Sequence, residues 1–259
     1  MLDLSGVGGL ALVVLVGGLV GGMLVNLLAD LLPRDHWQWR LGACAKCGSV
    51  LPAWSYVPLL GWLRLHGRCL HCNERLPRRS IWVDLAAPGA LLLMLGRVAN
   101  EGSALPLWAL FALYGAVSLV LLLIFVIDLE QHLILDVVTY PAMGALLALG
   151  LALNHRGLFF MLMGAVVAGG LFGLLYLAAY LIYHTDALGL GDVKLAVLIG
   201  LLIGWPMILQ TLFYGCLAGA ATGMILLMAR KADRQTMIPL GTALSLGAFL
   251  ALLLAPLLW

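Results

Sequence analysis

The sequence predicts an all-α polytopic integral membrane protein of about eight transmembrane helices, with one small polar module between the first two. Three observations carry that expectation. Hydrophobic residues fill 64% of the 259 positions and charged residues only 10%, against roughly 25% charged in an average soluble domain. Mean hydropathy is +1.09. Several apolar runs reach the ~20 residues that cross a bilayer, and none alternates in the manner of β-barrel strands.

The first span is expected from about Gly6 to Leu32. No Lys or Arg precedes Arg34, so the segment lacks the basic start of a cleavable signal peptide. Gly17, Gly18, Gly21 and Gly22 form overlapping small-xxx-small spacings, which permit close helix contact. Residues 33–80 are the only sizeable polar segment, long enough for a metal-stapled module and too short for an ordinary core of its own. Further spans are expected near 82–97, 105–127, 133–153, 158–183, 193–204, 206–229 and 237–258. The span at 193–204 is short and expected to tilt or distort near Pro206. The domain reading is therefore 1–32, a first helix; 33–80, a loop module; and 81–259, a helical core.

Charge assigns the sides. Of 14 Lys and Arg, eight lie between Arg34 and Arg79, and three more at Arg230, Lys231 and Arg234. Placing 33–80 in the cytoplasm and alternating puts the loops near 128–132, 184–192 and 230–235 there too, so that 12 of the 14 are cytoplasmic. This is the positive-inside bias, with the N-terminus outside. It accounts for the basic cluster without nucleic acid, the other usual partner of such a cluster; the expected partner is membrane lipid.

Cys44, Cys47, Cys69 and Cys72 form two C-x-x-C pairs with 21 residues between them. Four thiolates in this pattern suit a structural tetrahedral zinc site, although the gap slightly exceeds the usual range of roughly 15–20. A redox pair or a metal-free loop are the alternatives. A disulfide framework is disfavoured by the reducing cytoplasm. His66 and His71 are surplus to four ligands, and Cys216, inside an apolar span, reads as packing.

Two acidic blocks carry the chemistry. Asp128–Asp136 reads D-L-E-Q-H-L-I-L-D, and Leu188–Leu195 reads L-G-L-G-D-V-K-L. Ionisable groups at apolar spans mark function by default. Asp128 and Asp192 fall on the same face and are expected to meet as a proton-sharing pair, because two close carboxylates cannot both ionise. One would activate water and the other protonate the carbonyl oxygen of a peptide bond. Gly189 and Gly191 would let a substrate strand approach. Lys194 would offset charge or snorkel to the headgroups. Glu130, Asp136 and Asp186 are the acids expected to attract a basic substrate segment. His132 and His184 read as loop residues, and no P-loop or H-E-x-x-H pattern competes.

These motifs resemble the bacterial type IV prepilin peptidases, bifunctional leader peptidases and N-methyltransferases of the G-x-G-D aspartic membrane class. The likeness covers nearly the whole chain. It rests on Gly189–Leu195, on Asp128 followed eight positions later by Asp136, and on the four cysteines with Gly67–Cys69. Gly22–Pro33, with Asn26, and Ile238–Gly241 extend it. The chain departs at Leu31, Leu135, Ser55, Tyr56, Asp84 and after Arg79, none of which is Asp128 or Asp192. The resemblance implies an inner-membrane enzyme that cuts short basic leaders from prepilins or pseudopilins at the cytoplasmic face. It also implies methylation of the new N-terminus, with S-adenosylmethionine as donor and the cysteine loop associated with that half. Alternatives are a peptidase-only variant, another G-x-G-D intramembrane protease, or a proton-coupled transporter. A transporter would more often show an internal repeat, and none is evident.

Overall fold

The computed structural model describes residues 4–33, 47–49, 64–65, 67–74, 79–100, 106–153, 155–184, 189–228 and 240–254. Cys44, Asp186, Ile238 and the basic cluster at 230–234 lie outside the described residues. Within them the chain forms eight helices: α1 (Leu4–Leu31), α2 (Arg79–Ala99), α3 (Leu107–Gln131), α4 (Asp136–Leu153), α5 (His155–Tyr183), α6 (Leu190–Ile203), α7 (Ile208–Met228) and α8 (Leu240–Leu254). Five contain apolar stretches long enough to cross a membrane: Ala11–Leu31, Arg79–Ala99, Leu107–Gln131, Gly157–Ile182 and Ile208–Ile225. Large apolar side chains such as Val13, Val166, Leu174 and Ile182 lie two-thirds or more exposed. In a soluble protein that surface would aggregate; against lipid it is the ordinary exterior. The protein is therefore an all-α, multi-pass membrane protein.

The chain divides into two compact units, Met1–Leu123 and Ile124–Trp259. In the first, α1 packs against α2 through its glycines. A methyl group on Gly18 would fall 2.3 Å from Pro88 Cα, and one on Gly22 would fall 3.1 Å from Asp84 Cα. Gly21 faces Leu119 of α3, whereas Gly17 has no neighbour among the described residues. With little hydrophobic drive between helices in lipid, such close backbone approach is what holds them. Near the same end, Asn26 Nδ2 donates to Asp84 Oδ1 (3.0 Å) and to the Ser80 carbonyl (3.2 Å). Arg79 donates to Asp30. The ends of α1 and α2 thus meet, so the connection between them leaves and returns at one end of this unit.

The second unit is built round α6. Leu195, Ala196 and every residue from Leu198 to Ile203 are buried, so this helix is covered by protein rather than lipid. Its 14 residues reach only about 21 Å at 1.5 Å per residue. Gly204, with φ 73°, ends it, its amide donating to the Gly200 carbonyl. Against α5 the backbones touch: a Cβ on Gly200 would lie 2.5 Å from the Gly164 carbonyl oxygen, and one on Gly164 the same distance from Gly200.

Candidate active site

One end of the second unit gathers four helix termini. Here α3 finishes, and α4, α6 and α8 begin. The ends of α3 and α5 have the same cause. His132 (φ 54°) and His184 (φ 51°) take the left-handed conformation just past α3 and α5. Their amides donate to the carbonyls of Asp128 and Tyr180, each at 2.9 Å. These bonds satisfy carbonyls that a helix end leaves orphaned. The histidines are thus turn residues, and that of His132 fixes the backbone of Asp128.

Asp128 is buried, at 4% exposure, on the last turn of α3. Its Oδ2 accepts a hydrogen bond of 2.6 Å from the Thr242 backbone amide, in the first turn of α8. Asp192 sits half-buried in the first turn of α6, its backbone amide donating to the Gly189 carbonyl at 3.0 Å. The two carboxylates are close enough for the charge of Asp128 to act on Asp192. Ile134 lies between their supports. A Cβ on Gly191 would stand 3.0 Å from Ile134 Cβ, and one on Gly241 would stand 3.1 Å from Ile134 Cδ1. An apolar wall, a backbone donor on Asp128 and a second carboxylate within reach of its charge compose a site suited to a shared proton.

The remaining candidates divide. Lys194 Nζ donates to Asp136 Oδ1 at 2.6 Å and stands 5.4 Å from the Tyr140 ring centre. These two residues are each other's partners, tying α6 to α4. Glu130 is exposed at the end of α3. Gly191 is a close approach between backbone and Ile134, whereas Gly189, with φ −71°, precedes α6 in an extended conformation open to any residue. Gly241 and Thr242 were not among the residues expected at the site. The backbone amide of Thr242 leaves no mark in a sequence; a glycine in the first turn of an apolar helix is the one legible sign.

In the first unit, one sulfur from each of Cys47, Cys69 and Cys72 falls within 4.8 Å of the others. The Cys47 and Cys69 sulfurs are 3.9 Å apart. Two thiolates at about 2.3 Å from a tetrahedral zinc stand about 3.8 Å apart, so soft donors and spacing both fit that ion.

Residues 115–224 match the family model described as the type IV leader peptidase family, and residues 16–98 match the bacterial peptidase A24 N-terminal domain. A prepilin leader peptidase/N-methyltransferase of Pseudomonas aeruginosa is 33% identical over 220 residues, covering 82% of this chain and 70% of that protein. The chain belongs to the type IV leader peptidase family. A protein of the same name from Burkholderia pseudomallei is 31% identical over 210 residues, 79% of this chain and 64% of its own. A third, from Myxococcus xanthus, is 30% identical over 220 residues, 85% of this chain and 64% of its own. The chain thus spans about two-thirds of the length of these relatives. No solved structure matches it. The peptidase match contains Asp128 and Asp192; the N-terminal match contains the four cysteines.

Proposed function

We propose that this protein is a prepilin leader peptidase and N-methyltransferase in which Asp128 and Asp192 are the catalytic pair. The observation that carries the reading is that Asp128 and Asp192 lie at one end of the second unit, within reach of each other's charge, in the segment that matches the peptidase family. The substrate is a prepilin or pseudopilin whose basic leader lies at the cytoplasmic face and whose apolar helix lies in the bilayer. The bacterial inner membrane, with the N-terminus outside and eight spans in all, is the arrangement that fits the charge bias; α4, α6 and α8 are then short spans, of which α6 and α8 are largely covered by neighbours. Water held between the carboxylates loses a proton to one as its oxygen attacks the scissile carbonyl, while the other protonates the carbonyl oxygen. Collapse of the tetrahedral intermediate breaks the C–N bond, and the departing amine takes a proton from the pair. S-Adenosylmethionine is the second substrate, donating a methyl group to that amine. Purified protein incubated with a prepilin and labelled donor should release the leader and label the new N-terminus. An uncut prepilin would overturn the reading, and a cut but unlabelled product would restrict the protein to peptidase activity.

We also assign Cys44, Cys47, Cys69 and Cys72 as ligands of a structural zinc that staples the 33–80 module. Four thiolates close the coordination sphere, so the ion would order the loop rather than take part in cleavage. About one zinc per chain is expected in purified protein, falling to well below half in Cys69→Ser at equal chelator exposure. Metal analysis showing zinc-free, folded wild-type protein would remove this assignment.

A further inference from the structure

The first turn of α8 does more than close the second unit. Thr242 is the third residue of a helix that begins at Leu240, so its amide is among those without an intrahelical acceptor. That amide donates at 2.6 Å to Asp128 Oδ2, from a position 114 residues away in sequence. The adjoining residue leaves no slack. A methyl group on Gly241 would lie 2.9 Å from both Cγ and Oδ2 of Asp128. Glycine in a helix costs roughly 1 kcal/mol against alanine, and here alanine has no room. Of the other ionisable groups at this end, Asp192 is a second acid and Asp136 is occupied by Lys194.

We propose that the α8 first turn, the Thr242 amide with Gly241, is the positioning device for Asp128. The inference rests on the catalytic pair assigned above. A carboxylate on a helix terminus can rotate about two side-chain bonds. The amide holds Oδ2, which leaves Oδ1 for the attacking water, and the helix dipole adds partial positive charge on the same side. Gly241 lets the turn come close enough for this to happen. Neither residue touches substrate; both act through Asp128.

The test uses full-length protein in detergent, with prepilin cleavage followed as kcat and KM separately. Gly241→Ala pushes the turn off the carboxylate. Thr242→Pro removes the amide at a position in the first turn where a helix tolerates proline. Loss of one preorganised donor costs about 10²–10³-fold in kcat where it has been measured, and a fall of ~100-fold with unchanged KM is expected for both. Ser245→Ala, on the same helix and with its buried hydroxyl unpartnered among the described residues, should keep wild-type kcat. Should Gly241→Ala fail to insert, Thr242→Pro carries the same expectation. Wild-type kcat in either folded variant, or a loss matched by a rise in KM, overturns the proposal. Asp128→Ala run alongside separates the two ideas. Full activity in it removes the catalytic pair itself, whereas an inert Asp128→Ala beside a fully active Gly241→Ala removes only the role of α8.

Discussion

Asp128→Asn and Asp192→Asn should each reduce kcat/KM for leader cleavage by at least ~10³-fold, about 4 kcal/mol of lost transition-state stabilisation. Asparagine keeps the shape of aspartate, and at 128 it can still accept the hydrogen bond from Thr242. It cannot take a proton from water or return one to the leaving amine. The effect should therefore appear in kcat, while substrate held along the apolar helices keeps its KM. The double variant should be scarcely slower than either single one, because two residues acting as a unit lose their joint contribution once. Insertion and thermal unfolding should stay near wild type, since Asp192 is only half-buried and a neutral side chain relieves the repulsion between the pair. Wild-type cleavage by either single variant, or additive losses in the double, would show that the two acids do not work together.

Parts of this arrangement are legible in the chain and parts are not, for identifiable reasons. Asp128 and Asp192 stand out because a carboxylate beside apolar spans is costly, so its presence asks for a use. The cysteine pattern is legible because a metal site needs fixed donor types at short spacing. The Gly17–Gly22 cluster announces close packing, but which glycine meets which neighbour depends on the partner helix. Gly18 and Gly22 turn out to face α2, while Gly17 meets none of the described residues. Charge alone does not say which acid Lys194 offsets: its partner is Asp136, 58 residues away in sequence. Thr242 escapes altogether, because what it supplies is an amide that every residue but proline carries.

Gly200→Ala and Gly170→Ala should have opposite effects although both exchange glycine for alanine inside an apolar helix. Alanine is the better helix former by roughly 1 kcal/mol, and among the described residues Gly170 of α5 has nothing within 4 Å of the added methyl. That variant should unfold at an equal or slightly higher temperature. At Gly200 the methyl would lie 2.5 Å from the Gly164 carbonyl oxygen and 2.7 Å from Ala165 Cα. Neither is the yielding end of a side chain, so α5 and α6 must part by about 1 Å to reach ordinary contact. Overpacking of this kind costs about 1–3 kcal/mol, and it also moves the helix that carries Asp192. A displacement of about 1 Å at a reacting group is enough for a ~100-fold fall in rate. Gly200→Ala should accordingly lower both the unfolding temperature and kcat. Gly164→Ala should do the same from the other side, and the double variant should cost less than the sum, since helices already separated accommodate the second methyl. Equal stability and activity in Gly200→Ala and Gly170→Ala, read by detergent unfolding and prepilin cleavage, would mean that α5 and α6 do not touch backbone to backbone.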